Sequence, residues 1–146
     1  DGPVPLDLAP RALLTRVQRL RADGAERFRA GDTHAAAVAL ERAWRLLRPY
    51  EERWTRARGH QAAEQLRASH LGVVLNLALC YLRGPQEPLR ALECCREALV
   101  LEPGHATATL RRVQALKLLG LAEHADLELV GDALAPCDLR DHPEMA

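Results

Sequence analysis

The sequence predicts an all-α protein, on the evidence of its composition and of its apolar periodicity. Hydrophobic residues make up 48% of the 146 residues, which is enough for a real core, but aromatic residues make up only 3%. Sandwiches and barrels are rich in aromatic and β-branched residues, whereas the abundant Ala, Leu, Arg and Glu of this chain are strong helix formers. The length is that of one ordinary domain.

The charge balance disfavours nucleic acid as a partner, and the lack of a long apolar stretch disfavours a membrane. The 20 basic and 20 acidic residues give a formal net charge of zero, without the basic excess typical of nucleic-acid binders. No stretch approaches the roughly 20 apolar residues of a membrane span, and the first residues carry no signal-peptide pattern. We therefore expect a protein partner.

Apolar residues recurring at three- and four-residue spacing, with Gly and Pro stops, predict six helices. Pro10 suits a first helical turn, Gly31 suits a helix C-terminus, and Asp32 or Thr33 suits the cap of the next helix. The predicted helices span about residues 10–30, 34–47, 88–101, 106–119 and 122–135, and the third of the six, which follows a lead-in after Gly59, continues to about residue 83.

The predicted domain covers residues 10–136, with a linker before it at 1–9 and a tail after it at 137–146. Within the domain, residues 51–70 form a polar insert that Gly59 interrupts. We interpret this insert as an extension that elongates the second helix, then a short loop, then the lead-in to the third helix.

Small residues recur at regular positions in these helices. Gly24, Ala36 and Ala43 follow one another at spacings of 12 and seven residues, and Ala91 and Ala98 repeat the spacing of seven. Ala125 lies 34 residues after Ala91, and 34 residues is the length of a tetratricopeptide repeat. Small residues let the two helices of a repeat approach closely, and Pro103 then ends the second helix of one repeat.

This spacing predicts three stacked helix-turn-helix repeats in a short right-handed solenoid with a concave groove. The repeats would span about residues 14–50, 71–104 and 105–136. A plain helical bundle with small residues spaced by chance is the alternative.

Several stretches resemble the tetratricopeptide domain of the large immunophilin co-chaperones, the FKBP-type peptidyl-prolyl isomerases. They are RADGAERFRAGD at Arg21 to Asp32, then NLALCYL, ALECCREALVLEPGHA and LRR. The insert between the first and second repeats is also typical of that family. The resemblance covers about Leu14 to Ala135 and includes no catalytic isomerase domain.

The resemblance implies a non-catalytic module that binds the C-terminal tail of a heat-shock chaperone of the ninety-kilodalton class. In that family, basic and amide side chains in the groove bind the terminal carboxylates of a Glu-Glu-Val-Asp tail, and charge-assisted hydrogen bonds supply affinity and register. Three of the five matching positions keep a suitable group, namely Arg21, Asn76 and Arg111. Ala25 and Thr107 stand at the other two, and Lys117 or Arg112 is a candidate to replace the missing charge.

Two other functions stay open. The first is a divergent adaptor that binds a different protein, with relict clamp residues. Ala25 and Thr107 favour it. The second is a fragment of an enzyme whose catalytic isomerase domain precedes Asp1.

The roles of the three clamp residues are also open. Asn76 either binds a ligand in the groove or holds a neighbouring helix, and Arg21 and Arg111 either bind a ligand or lie solvated on a helix face.

The sequence holds no motif for metal binding, phosphate binding or catalysis. Cys80 and Cys95 fall at apolar helix positions, and no CxxC pair is present, which predicts buried reduced thiols in a cytoplasmic or nuclear protein. The six histidines have no metal-binding spacing, and the sequence holds neither a GxSxG nor a Gly-rich phosphate loop. We therefore expect no metal, no cofactor and no catalytic residue, and the sequence does not predict an oligomeric state.

Overall fold

The computed structural model describes residues 10–50, 61–84 and 87–120, which form five α-helices and no strand. The helices are α1 (Pro10–Arg29), α2 (Thr33–Leu47), α3 (Gln61–Arg83), α4 (Pro88–Leu101) and α5 (Ala106–Leu118). A 3-10 turn at Arg48–Tyr50 follows α2. The prediction of an all-α protein is confirmed, and none of the described helices is long and apolar enough to cross a membrane.

The ends of these helices follow the residues that predicted them. Gly31 has a φ of 86° after α1, a conformation that favours glycine because it has no Cβ. Asp32 then caps α2, since its Oδ1 accepts a hydrogen bond from the backbone N–H of Ala35 at 2.9 Å. His105 caps α5 in the same way, accepting from the N–H of Ala108 at 3.3 Å.

The five helices form two layers, and α3 is the central helix. This helix contacts each of the other four, and α1, α2, α4 and α5 otherwise pack mainly against the next helix in the chain. The odd-numbered helices α1, α3 and α5 therefore lie side by side in one layer, while α2 and α4 lie in the other. The sixth predicted helix, at 122–135, and with it Ala125 and the second half of the third repeat, lies outside the described residues.

The small residues that suggested a repeat are buried where helices meet. Gly24 lies so close to α2 that a Cβ on it would be 3.0 Å from Cγ of Leu40 and 3.4 Å from the carbonyl oxygen of Ala36. The described alanines of the pattern are 0% exposed, namely Ala36, Ala43, Ala91 and Ala98, and so is Ala78 of α3. They lie in the core, where larger side chains would hold the helices apart.

The predicted extension of the second helix falls on residues after Tyr50, which lie outside the described residues. The α-helical part of α2 ends at Leu47 and a 3-10 turn follows at Arg48–Tyr50, because Pro49 offers no N–H to an α-helical hydrogen bond. The long helix is α3, which has 23 residues and begins at Gln61, so half of the predicted insert belongs to it. Ser69 and His70 in this part are buried, because α3 packs against other helices from its first turns onward. Residues 51–60, with Gly59, lie outside the described residues.

Candidate peptide-binding site

Three of the four predicted peptide-binding residues lie against one short stretch of α3. Arg21 reaches this stretch from α1, since its Nη2 would lie 2.5 Å from a Cβ placed on Gly72. Asn76 belongs to α3 itself, one turn after Gly72 on the same face. Arg111 reaches it from α5, with its Nη1 donating to the carbonyl oxygen of Leu75. The three odd-numbered helices thus bring residues 55 and 35 positions apart in sequence to the middle of α3.

Arg21 is the most accessible of the three. It is half-buried, and its guanidinium lies over the one residue of this α3 face that has no side chain. A guanidinium keeps its charge at every physiological pH and carries five N–H donors in a planar fork, so it can bind a carboxylate while still touching α3.

Asn76 is only 1% exposed, although it is polar. A buried amide of this kind is hydrogen-bonded in almost all proteins, either to protein groups or to a ligand. Its burial among helices fits the interpretation that it holds a neighbouring helix. A peptide could reach it only by lying directly on the seam between α1 and α3.

Arg111 is fully buried, at 0% exposure, which the sequence did not suggest. Besides donating to Leu75, its positive charge lies close to two buried thiols and partly offsets the burial that raises the pKa of both Cys80 and Cys95 to about 12. The side chain therefore joins α5 to α3 from within the core. Arg111 therefore stabilises the fold.

Lys117 does not join the other three. It is exposed in the last turn of α5, six residues after Arg111, which places it about 120° away round the helix axis. Arg112 points elsewhere too, since it lines a cleft of about 330 Å³ between α4 and α5 with Arg96 and Leu116. Neither Lys117 nor Arg112 therefore replaces the charge missing at Ala25 and Thr107. Ala25 is buried at 3% exposure, and Thr107 lies one turn before Arg111.

A second cleft, not anticipated from the sequence, lies on the opposite side of α3. Tyr81 lines it and is nine residues beyond Gly72, about 180° round the helix axis. The cleft has a volume of about 320 Å³ and is bounded by α2, α3 and α4. Its lining holds three carboxylates, two guanidiniums and two aromatic rings: Glu41, Glu93, Glu97, Arg45, Arg90, Trp44 and Tyr81.

Two of these carboxylates join the helices around the cleft. Glu97 of α4 accepts a hydrogen bond from Nε1 of Trp44 at 2.8 Å, and its other oxygen lies 3.1 Å from Nε2 of the buried His70. Glu41 of α2 accepts from the hydroxyl of Tyr81 and lies 3.4 Å from Nη1 of Arg90. Each carboxylate therefore connects its own helix to both of the others.

The surroundings of this cleft shift the pKa values of Glu97 and Tyr81 in opposite directions. Burial alone would raise the pKa of Glu97, but the hydrogen bonds from His70 and Trp44 outweigh it and hold that pKa below its ordinary value of 4.5. Burial and the neighbouring Glu41 raise the pKa of Tyr81. Guanidiniums also stack on both rings, with Cζ of Arg48 4.8 Å from the Trp44 centroid and Cζ of Arg90 5.8 Å from the Tyr81 centroid.

A sequence signal for this cleft existed. Glu41 and Trp44 are three residues apart on α2, and Glu93 and Glu97 are four apart on α4, so each pair shares a helix face. The pairing between the two helices could not be read without their packing.

Neither a metal-binding cluster nor a thiol of lowered pKa is found among the described residues. They include no group of three His, Cys, Asp or Glu side chains able to bind a metal ion. Cys80 and Cys95 are buried and free, as predicted, and burial together with nearby Glu97 raises the pKa of Cys94 as well. Thiols with raised pKa values are poor nucleophiles at neutral pH.

A comparison with protein-family models finds no match to this chain, and a search of the curated proteins finds no match either.

Proposed function

We propose that this chain is a non-catalytic interaction module, built of tetratricopeptide-like repeats, that binds the acidic C-terminal peptide of a heat-shock chaperone. The observation that carries the proposal is the meeting of Arg21, Asn76 and Arg111 at one stretch of α3. The layer formed by α1, α3 and α5 corresponds to the groove-lining helices of a repeat solenoid. The peptide's terminal carboxylate would lie at the seam between α1 and α3.

Within this proposal the three residues have different roles. Arg21 binds the carboxylate directly, because its guanidinium is partly exposed and always charged. Asn76 lies one turn along from Gly72 and would contact the peptide from the floor of the seam. Arg111 holds α3 and α5 together behind it and adds positive potential. Lys117 is too far round α5 to act at the same point.

The affinity for the peptide should be modest, because Arg21 is the one accessible cation among the three residues of the site. Each missing charge-assisted hydrogen bond removes about 1.5–3 kcal/mol, and every 1.4 kcal/mol is a factor of ten in affinity. The two donors absent at Ala25 and Thr107 therefore weaken binding at least a hundredfold relative to a complete set. A dissociation constant of tens to hundreds of micromolar is the expected range.

The burial of Arg111 favours a second candidate, a divergent adaptor that binds another protein. An arginine with 0% exposure that donates to a backbone carbonyl is committed to the fold. On this alternative Arg21, Asn76 and Arg111 have structural roles, and the partner contacts a different surface of the same all-α module.

Isothermal titration distinguishes the two. The peptide is one ending in Met-Glu-Glu-Val-Asp, used once with a free terminal carboxylate and once as the C-terminal amide. We expect binding of the free acid, loss of most affinity with the amide, and at least a tenfold loss with Arg21→Ala. The matched control is Arg19→Ala, an exposed arginine two residues earlier on the same helix. Equal binding of acid and amide, or no binding at about millimolar peptide, would reject chaperone docking.

A further inference from the structure

Gly72 is the residue of α3 on which the side chain of Arg21 lies. A Cβ added to Gly72 would stand 2.5 Å from Nη2, 2.9 Å from Cζ and 3.4 Å from Nη1 of Arg21. All three of these atoms belong to the guanidinium. Real Cβ atoms are essentially never closer than 3.0 Å to such neighbours, so any side chain at this position would displace the charged group, at a low energetic cost because these atoms are the far end of a flexible side chain.

Helix chemistry gives no other reason for a glycine here. Gly72 is twelfth of the 23 residues of α3, where glycine is less favourable than alanine by about the largest margin of any residue except proline. Its backbone is helical and has no positive φ that would require glycine. The close approach of Arg21 is the local feature that the missing Cβ permits.

The shape of the group matters as much as its charge. A lysine ammonium is compact and sits on a flexible stem, so it could avoid a methyl group on α3. A guanidinium is broad and planar, and its fork binds both oxygens of a carboxylate when its orientation is held. The space above Gly72 fits the broad group.

We propose that Gly72 is the positioning residue for Arg21, and that the two form a coupled pair that presents a planar guanidinium to a carboxylate at the seam of α1 and α3. The carboxylate part of this inference rests on the proposed function. The pairing of Gly72 with Arg21 does not, and it can be measured without any peptide.

The ligand-free test uses thermal unfolding of Gly72→Ala in two backgrounds. Helix propensity alone makes alanine at this position raise the Tm. We expect Gly72→Ala to raise the Tm less when Arg21 is present than when position 21 carries Arg21→Ala, because only the first background must move the guanidinium. Ala68→Gly, at an exposed position one turn earlier on α3, calibrates the ordinary propensity effect. A rise in Tm of similar size in both backgrounds would overturn the pairing.

The binding test uses the same free-acid peptide with Gly72→Ala, Arg21→Lys and the double variant. We expect about a tenfold loss of affinity for Gly72→Ala and a smaller loss for Arg21→Lys, with the double variant no weaker than Arg21→Lys alone. Arg19→Lys is the control for the charge-conserving change. Multiplicative losses in the double variant would show that Gly72 does not act through Arg21, and would overturn the positioning role.

The two tests separate the two claims. If the wild-type chain does not bind the peptide while the Tm values show coupling, the proposed function fails and the pairing stands. If the peptide binds but the Tm values show no coupling, the pairing fails and the proposed function stands.

Discussion

The indole N–H of Trp44 on α2 donates a hydrogen bond of 2.8 Å to Glu97 on α4, 53 residues away in sequence. These two helices form the layer without α1, α3 and α5. Their backbones make few contacts with each other, so this bond is one of the few direct links between them. The same carboxylate also lies within hydrogen-bonding distance of His70 of α3. One glutamate thus connects three helices.

Replacing Glu97 by alanine should therefore destabilise the protein. Trp44 loses its acceptor and His70 loses a partner inside the core, and an unsatisfied buried polar group costs about 1–3 kcal/mol. We expect a loss of about 2 kcal/mol in the free energy of unfolding, measured by urea denaturation. The control is Glu93→Ala, one turn earlier and exposed, which should change the stability by less than about 0.5 kcal/mol. Equal effects would show that the network carries no stability.

The stability should also fall in acid, in part because of Glu97. Hydrogen bonds to its charged form hold its pKa in the folded protein below the ordinary 4.5, so folding is favoured while the carboxylate is ionised. This contribution is fully present above pH 4.5 and is lost as the pH falls through the lower folded pKa. The Tm of Glu97→Gln should therefore depend less on pH than that of the wild type in the range below about pH 4.5. Glu93→Gln, which removes an exposed carboxyl, should retain the wild-type slope.

The buried thiols should resist alkylation in the native state. Burial raises the pKa of Cys80 and of Cys95 to about 12 and that of Cys94 above its ordinary value, so few thiolates exist at neutral pH. In a Cys137→Ser background, which leaves only these three thiols, we expect slow labelling by iodoacetamide and rapid labelling of all three in denaturant. Mass spectrometry counts the adducts, and a thiol that reacts rapidly before unfolding would contradict its burial.

Arg111 and Lys117 lie on the same helix but should respond very differently to truncation. Arg111→Ala removes a hydrogen bond from a charged group to the carbonyl of Leu75 and leaves a cavity in the core, so we expect a loss of about 3 kcal/mol or more. Lys117→Ala removes an exposed side chain and should change the stability by less than about 0.5 kcal/mol. Chemical denaturation measures both, and a mild effect of Arg111→Ala would mean that the arginine is not committed to the fold.

Most of the helical architecture could be predicted. Four of the five described helices begin and end within about one residue of the prediction, because local residues determine their boundaries. These are Gly31 and Asp32 between α1 and α2, Pro88 at the start of α4 and Pro103 just after its end. The exception is α3, because its first turns were assigned to the polar insert. The start of α3 at Gln61 was difficult to predict because its first turns are polar, and tertiary packing rather than apolar periodicity determines their burial.

The candidate site was predictable only in part. A family resemblance selected Arg21, Asn76 and Arg111, and they do meet at α3. Their exposure could not be read from residue type, since an arginine usually lies at the surface and Arg111 does not. The cleft of Glu41, Trp44 and Glu97 was missed, because its members come from helices that only packing brings together.

By itself the sequence determined the all-α class, the position of most helix ends, and the burial of small residues at regular intervals. These properties follow from backbone propensity, capping and period, which act over a few residues. Only the tertiary structure decided that Arg111 lies in the core, that Arg21 lies on Gly72 and that Trp44 meets Glu97. Each of these depends on how two helices distant in sequence cross, and the crossing is set by packing of side chains from both.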